Sequence, residues 1–200
     1  MDERKKQQAL LALKWDAKYI RQSRGEPTGN AFMAEIESLD EDFERALEDF
    51  NIHGGTMLDI GTGVGWQAIQ LARKGFSVTA VDVSPFCLAK AKKNAMLNKV
   101  AIRFLTDDIL RTSLTETFDV LVDRGCFTGL PEAFLSDYAS QVSRLVTPNG
   151  YFLLKIAQEH ESRLSHLAEK FKIARRLESF YLSPENQRWG ATFLLLRPIP

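Results

Sequence analysis

The chain has 200 residues, 44% hydrophobic and 26% charged, with 26 lysines plus arginines against 26 aspartates plus glutamates and a formal net charge of zero. Length and composition suit one globular domain with a sizeable core, and the even charge balance argues against a broad basic face for nucleic acid. The two cysteines, Cys87 and Cys126, make neither a metal spacing nor a disulfide framework, and no apolar run is long enough to cross a bilayer. The first residues, MDERKKQQ, lack the apolar centre of a signal peptide. A cytoplasmic protein with no membrane partner is expected, its oligomeric state left open.

In chain order, residues 3–22 carry Leu10, Leu11, Leu13, Trp15, Tyr19 and Ile20 among polar residues, which predicts a helix. A breaker cluster, SRGEPTGN, follows at 23–30. Phe32, Ile36, Phe43 and Leu47 predict a second helix over 31–50. The stretch 56–66, TMLDIGTGVGW, reads as a strand, a glycine turn and the start of a helix that stops at Gly75. Strands are expected at 77–82, 102–107, 118–123 and 151–157, and helices at 85–98, 131–145 and 160–172. Two last strands, 173–182 and 192–197, have no helix between them and predict an antiparallel hairpin.

Repeated strand–helix units define an α/β protein: a Rossmann-like, mostly parallel sheet with helices on both faces. Residues 1–200 read as one domain, with a core at 51–200 and a helical segment at 1–50 placed to act as a lid. A ligand should bind at the carboxyl ends of the strands, near the switch in strand order.

The glycine turn is G-T-G-V-G-W, whereas a dinucleotide fold wants G-x-G-x-x-G. Asp59 stands two residues before Gly61, where a carboxylate can meet a ligand ammonium or hold the turn. Asp82 ends the second strand about twenty residues beyond the first glycine, a position that suits a ribose diol. A local cap of the following helix is its alternative role. Asp107 and Asp108 end the third strand and Asp123 the fourth, the last followed by Arg124.

The run Leu58-Asp59-Ile60-Gly61-Thr62-Gly63-Val64-Gly65 resembles the first motif of the class I S-adenosylmethionine-dependent methyltransferases, hydrophobic-D-x-G-x-G-x-G. That resemblance implies a seven-stranded sheet with an antiparallel last strand, S-adenosylmethionine as cofactor and S-adenosylhomocysteine as product. It implies cofactor contacts from Asp59, Gly61, Thr62, Gly63, Gly65, Asp82, Val83 and the third-strand tip. There an Asp followed by an apolar residue meets adenine, which favours Asp108, with the Ile109 N–H close by, over Asp107.

By the same resemblance Asp123 lies beside the transferable methyl, as a further cofactor contact. Asp123 and Arg124 are the catalytic candidates, with Arg124 pairing either with Asp123, the simpler arrangement, or with a substrate carboxylate. The segment 123–131, DRGCFTGLP, is similar to the Asp-Arg-Gly-Cys-Phe-His-x-Leu-Pro form of small-molecule enzymes related to the thiopurine and tellurite-resistance group, departing from it at Thr128. It lacks the D/N-P-P-Y pattern of nucleobase amino methyltransferases. Trp15-Asp16-Ala17-Lys18-Tyr19 resembles the Trp-Asp-x-x-Tyr start of the same small-molecule group, where that segment closes over the cofactor; packed core is the alternative. Cys126 has no Pro-Cys or Thr-Cys setting and reads as a small buried residue rather than a nucleophile. His53, His160 and His166 share no ligand spacing, so no metal is expected.

The expected function is methyl transfer from S-adenosylmethionine to a small molecule, with a thiol or other soft nucleophile as acceptor. The alternatives are an RNA or protein methyltransferase, an NAD-type Rossmann oxidoreductase, and a binding module that holds the cofactor without turnover.

Overall fold

The computed structural model describes residues 3–26, 36–182 and 187–199. Its centre is β1, Thr56–Ile60. Side chains alternate across a strand, so Leu58 and Ile60 face one layer while Met57 faces the other. Both faces are buried, which is why the strand reads as an apolar run rather than an alternation.

The other strands are β2 Ser77–Asp82, β3 Arg103–Thr106, β4 Phe118–Arg124, β5 Val146–Ala157, β6 Phe171–Leu182 and β7 Arg188–Pro198. They form one seven-stranded sheet in the order β3-β2-β1-β4-β5-β7-β6. The first five run parallel, and β7 lies antiparallel to both β5 and β6. The expected mostly parallel sheet with a terminal hairpin is therefore present. The chain winds outward from β1 to β3 and returns beside β1 as β4, which leaves a crevice at the strand tips.

The α-helices are α1 Glu3–Ser23, α2 Glu41–Asp49, α3 Trp66–Arg73, α4 Pro85–Leu97, the single turn α5 Cys126–Gly129, and α6 Leu135–Leu145. On one face Tyr138 and Val142 of α6 pack with Leu58, Leu121 and Phe152. On the other, Phe43 and Leu47 of α2 and Ala68 and Leu71 of α3 pack with Met57, Val120 and Leu153. The same parity puts Asp123 on the α6 side, against Tyr138, and Lys155 on the α2 side, against Asp40 and Asp42.

Three expectations shift. The second helix starts at Glu41, because Asp40 accepts from the Asp42 N–H as its N-cap; residues 36–40 are irregular with a bend at Ser38, and Phe32 lies outside the described residues. The stretch 158–167 forms 3-10 turns in place of an α-helix. Strand β5 begins at Val146 and absorbs the Thr147-Pro148-Asn149-Gly150 breaker, with a register shift against β4 between Phe118 and Val120.

Candidate functional site

The glycine turn between β1 and α3 is held down by its own backbone. The N–H groups of Gly61 and Thr62 both donate to the Val81 carbonyl, at 2.9 and 3.0 Å. Gly61 has φ +69°, and a Cβ there would stand 2.7 Å from the Cβ of Cys126; neither the dihedral nor the space admits a side chain. Gly65, φ +87°, answers a different need. A Cβ would meet Ala91 of α4 at 2.9 Å, and Gly65 lines neither of the two cavities described below. Here the missing side chain permits close packing of α3 on α4.

Asp82 ties the second strand tip to the turn. Its Oδ2 accepts from the Gly63 N–H and its Oδ1 from the Ser84 N–H, both at 2.9 Å. Ser84, not Asp82, caps α4 through the Cys87 N–H. Each Asp82 oxygen keeps a lone pair for a ligand. At the third tip the two aspartates divide. Asp107 accepts from the hydroxyls of Thr112 and Ser113, at 2.8 and 3.0 Å, while Asp108 uses only Oδ1, on the Leu110 N–H at 3.0 Å. Asp59 is 2% exposed and accepts from Thr62 Oγ1 at 2.6 Å.

Burial pushes Asp59 up to about 7, with the charges of Asp123 and Asp82 adding to it and the Thr62 hydrogen bond opposing it. Burial likewise raises Asp82 and Asp108.

Asp123 departs from expectation. It is fully buried, and four donors saturate it: the N–H groups of Gly125, Cys126 and Phe127 and the Tyr138 hydroxyl, at 2.9, 2.7, 2.9 and 2.5 Å. Burial raises it to about 6 despite those bonds. Its carboxylate shapes the 123–127 turn and is not among the residues that line the three cavities described here. Arg124 pairs with Asp40, not Asp123: its Nε lies 2.8 Å from Asp40 Oδ2. Cys126 faces the crevice, yet burial first, and the neighbouring carboxylates second, hold its thiol well above the usual range. A thiol kept protonated is a poor nucleophile.

Two cavities adjoin along the strand tips, of about 620 and 580 Å³. The first is lined by Asp82, Val83, Asp107, Asp108 and Ile109, the second by Asp59, Thr62, Gly63, Trp66 and Arg124. Gly61 and Tyr19 line both. The three predicted carboxylates, Asp59, Asp82 and Asp108, are thus brought round one glycine turn.

Helix α1 is the outer wall, contributing Leu11, Ala12, Trp15 and Tyr19. It is fastened by Asp16, whose Oδ1 accepts from Ser84 Oγ at 2.5 Å and from the Phe86 N–H at 3.3 Å. The Trp15 ring rests on Gly129, where a Cβ would meet it at 2.6 Å.

Sequence reasoning assigned no role to Asp16, Gln67 or Lys155. Gln67 accepts from the Asp40 N–H at 2.9 Å and donates to the Ser38 carbonyl at 3.0 Å, so the segment 36–40 is strapped to α3. The only available signal was a lone lysine in the apolar run Phe152-Leu153-Leu154-Lys155-Ile156, which in a doubly covered strand demands a buried partner.

Residues 57–150 match the family described as Methyltransferase domain. That match covers just under half of the chain. The release factor glutamine methyltransferase of Flavobacterium psychrophilum is 51% identical over 69 residues, 33% of this chain and 24% of that protein. The mitochondrial ubiquinone biosynthesis O-methyltransferase of Schizosaccharomyces pombe is 30% identical over 156 residues, 68% of this chain and 55% of that protein. The chain thus spans between a quarter and just over half of these curated relatives.

Among solved structures, one from work on the conversion of a disulfide bond into a thioacetal group during echinomycin biosynthesis superposes with TM-score 0.75 at 23% identity, over 92% of this chain and 90% of that one. The magnesium protoporphyrin IX methyltransferase of Synechocystis PCC 6803, crystallised with S-adenosylhomocysteine, gives 0.67 at 20% identity, over 79% and 80%. TehB from Haemophilus influenzae gives 0.66 at 17%, over 80% and 62%. These likenesses show a shared fold, and in this chain the sheet order itself singles out the crevice at the strand tips. Among the described residues no cluster of side chains suits a metal, and no helix is long and apolar enough to cross a membrane.

Proposed function

We propose that this chain transfers a methyl group from S-adenosylmethionine to a small-molecule acceptor with a soft nucleophile, a thiol or thiolate above all. The observation that carries the cofactor half is the charge of the crevice. Four aspartates line the two adjoining cavities, three of them with raised pKa, against one cation, Arg124. Carboxylates crowded in low dielectric are relieved by a cationic ligand. S-adenosylmethionine brings two positive centres, its sulfonium and its ammonium. The diphosphate of an NAD-type cofactor would bring two negative charges to the same glycine turn, which counts against the oxidoreductase alternative.

In this reading the spare lone pairs of Asp82 receive the ribose diol. Asp108 Oδ2 receives the adenine amine, with Val83 and Ile109 against the ring. Asp59, with Thr62 and the Gly61–Gly63 backbone, holds the amino-acid end. When bound, the cofactor supplies an electrophilic methyl. The acceptor's lone pair forms the new bond to carbon as the carbon–sulfur bond breaks, and its electrons return to sulfur. This needs alignment and exclusion of water more than a general base, in keeping with an inert Cys126 and a saturated Asp123. Of the segment 1–50, helix α1 acts as the lid and forms the cavity wall, whereas α2 packs on the sheet as part of the core. The finer likeness to the thiopurine and tellurite-resistance group belongs to this proposal, supported by the segment 123–131 and the TehB superposition.

The test is calorimetry with S-adenosylmethionine and S-adenosylhomocysteine, alongside melting with NADH. Binding of the sulfonium pair, no shift with NADH, and S-adenosylhomocysteine production over a thiol panel are expected. Folded protein that binds neither sulfur nucleoside would falsify the assignment.

A further inference from the structure

A third cavity, of about 660 Å³, adjoins the second and shares Ile36 and Arg124 with it. It lies where the tips of β4 and β5 meet the hairpin, and Ser38, Asp40, Lys155, Ser179, Phe180 and Arg188 line it. Its charges are arranged unevenly.

Lys155, 3% exposed, spends its ammonium on both oxygens of Asp40, at 2.9 Å each, and on Asp42 at 2.8 Å. Both Asp40 oxygens are fully engaged: Oδ1 also accepts from the Asp42 N–H, and Oδ2 from Arg124 Nε. Asp42 accepts in addition from Ser179. Both oxygens of Asp40 and one of Asp42 are thus occupied, and the Lys155 ammonium sits between the two acids.

The arginines are less so. Arg124 commits only its Nε, and its two Nη groups, the forked end of the guanidinium, hold no hydrogen bond among the described residues. Arg188 lies over the Phe180 ring, 4.2 Å from its centroid, with no ion pair among the described residues. Tyr181 lies beneath Arg124 at 5.2 Å.

We infer that this third cavity is the acceptor subsite, and that it takes an anionic acceptor, a carboxylate-bearing small molecule anchored on the Nη fork of Arg124 with Arg188 at the rim. The inference rests on the methyltransferase reading above. Asp40 fixes Arg124 through Nε, which leaves the planar fork free for the bidentate geometry a carboxylate prefers. The anchor stands at the junction with the cofactor cavity, so an acceptor held by its carboxylate presents its far end toward Gly61 and Tyr19. A cationic acceptor would find Asp40 fully engaged and Asp42 already held by the Lys155 ammonium and Ser179, with exposed Glu41 at the rim.

The probes are phenylacetate, phenylacetamide and phenethylamine, which are matched in shape and differ in charge. Each is titrated into the protein saturated with S-adenosylhomocysteine. Phenylacetate should bind at least about tenfold tighter than the amide, as a charge-assisted pair does over a neutral contact. Arg124→Gln should bring it down to the amide's level, and Arg188→Gln, a surface change that leaves the fold intact, should weaken it severalfold. Equal binding of the three probes, a preference for the amine, or an undiminished preference for phenylacetate in Arg124→Gln overturns the inference while leaving the methyltransferase reading in place. Loss of S-adenosylhomocysteine affinity in folded Arg124→Gln assigns the fork to the cofactor's own carboxylate and also overturns it. If the native protein fails to bind S-adenosylhomocysteine, both readings fall together.

Discussion

Tyr138 donates its hydroxyl to Asp123 at 2.5 Å, and neither residue is exposed at all. A tyrosine from α6 thus completes the set of donors that lets a carboxylate sit under the 123–127 turn, with the Gly125–Phe127 backbone supplying the rest.

Tyr138→Phe removes that donor and leaves the ring packing against Phe127, centroids 5.2 Å apart. The expected loss is about 1–3 kcal/mol, the range for a buried hydrogen bond to a charged group. Urea unfolding at pH 7.5 measures it. The loss should shrink at pH 5, because Asp123, already raised to about 6, rises further without the phenol and is then largely protonated.

Asp59 gives the ligand-free protein a specific pH dependence. Its folded-state value of about 7 lies above the unfolded carboxylate value near about 4. Between those values the folded state holds the extra proton, so this group's contribution to stability falls as pH rises through the interval and is flat outside it. Asp59→Asn removes that slope while keeping an oxygen for Thr62. The variant should therefore gain on the native protein by about 3 kcal/mol between pH 4.5 and 7.5, read from urea midpoints at the two pH values. A gap that stays constant with pH would contradict the buried-acid picture.

Asp40→Ala leaves the Lys155 ammonium with Asp42 alone and Arg124 Nε without its partner. Burial alone would raise Asp40, but Lys155 and Arg124 more than offset it and hold it below the usual carboxylate range. Breaking a buried pair on one side costs about 3–5 kcal/mol. Glu116→Ala, which breaks the exposed Arg103–Glu116 pair, should cost less than about 1 kcal/mol. Denaturant unfolding of the two variants side by side tests the contrast.

Gly61→Ala sets a Cβ 2.7 Å from that of Cys126 at φ +69°. Strain of about 1–3 kcal/mol is expected at such a dihedral, with loss of nucleoside binding because the turn must move. A melting curve and a titration with S-adenosylhomocysteine read the two effects separately.

Much of the strand-tip crevice was legible in the sequence because it is local. The Leu58–Gly65 run encodes strand, turn and helix within a few residues, Asp82 follows from its place at a strand end, and the choice of Asp108 over Asp107 comes from the family resemblance. The acceptor side was not. Lys155 and Asp40 are 115 positions apart, and no periodicity brings a helix cap to the middle of a distant strand. The Phe32–Leu47 spacing ran across the Asp40 cap and hid the irregular strap that Gln67 holds. Asp123 misled for a different reason: at a strand tip, a carboxylate that binds a ligand and one that folds the next turn have the same sequence signature, and only the donors around it separate them.

The seating of Trp15 on Gly129 offers a handle for engineering. Gly129 is helical and tolerates alanine in its backbone, so one added methyl acts as a wedge whose three nearest atoms all belong to the indole. It prises at the outer wall from a position that lines neither nucleoside cavity. Exchange of bound nucleoside can thereby be hastened or slowed by the bulk placed at one site, without touching any group that grips it.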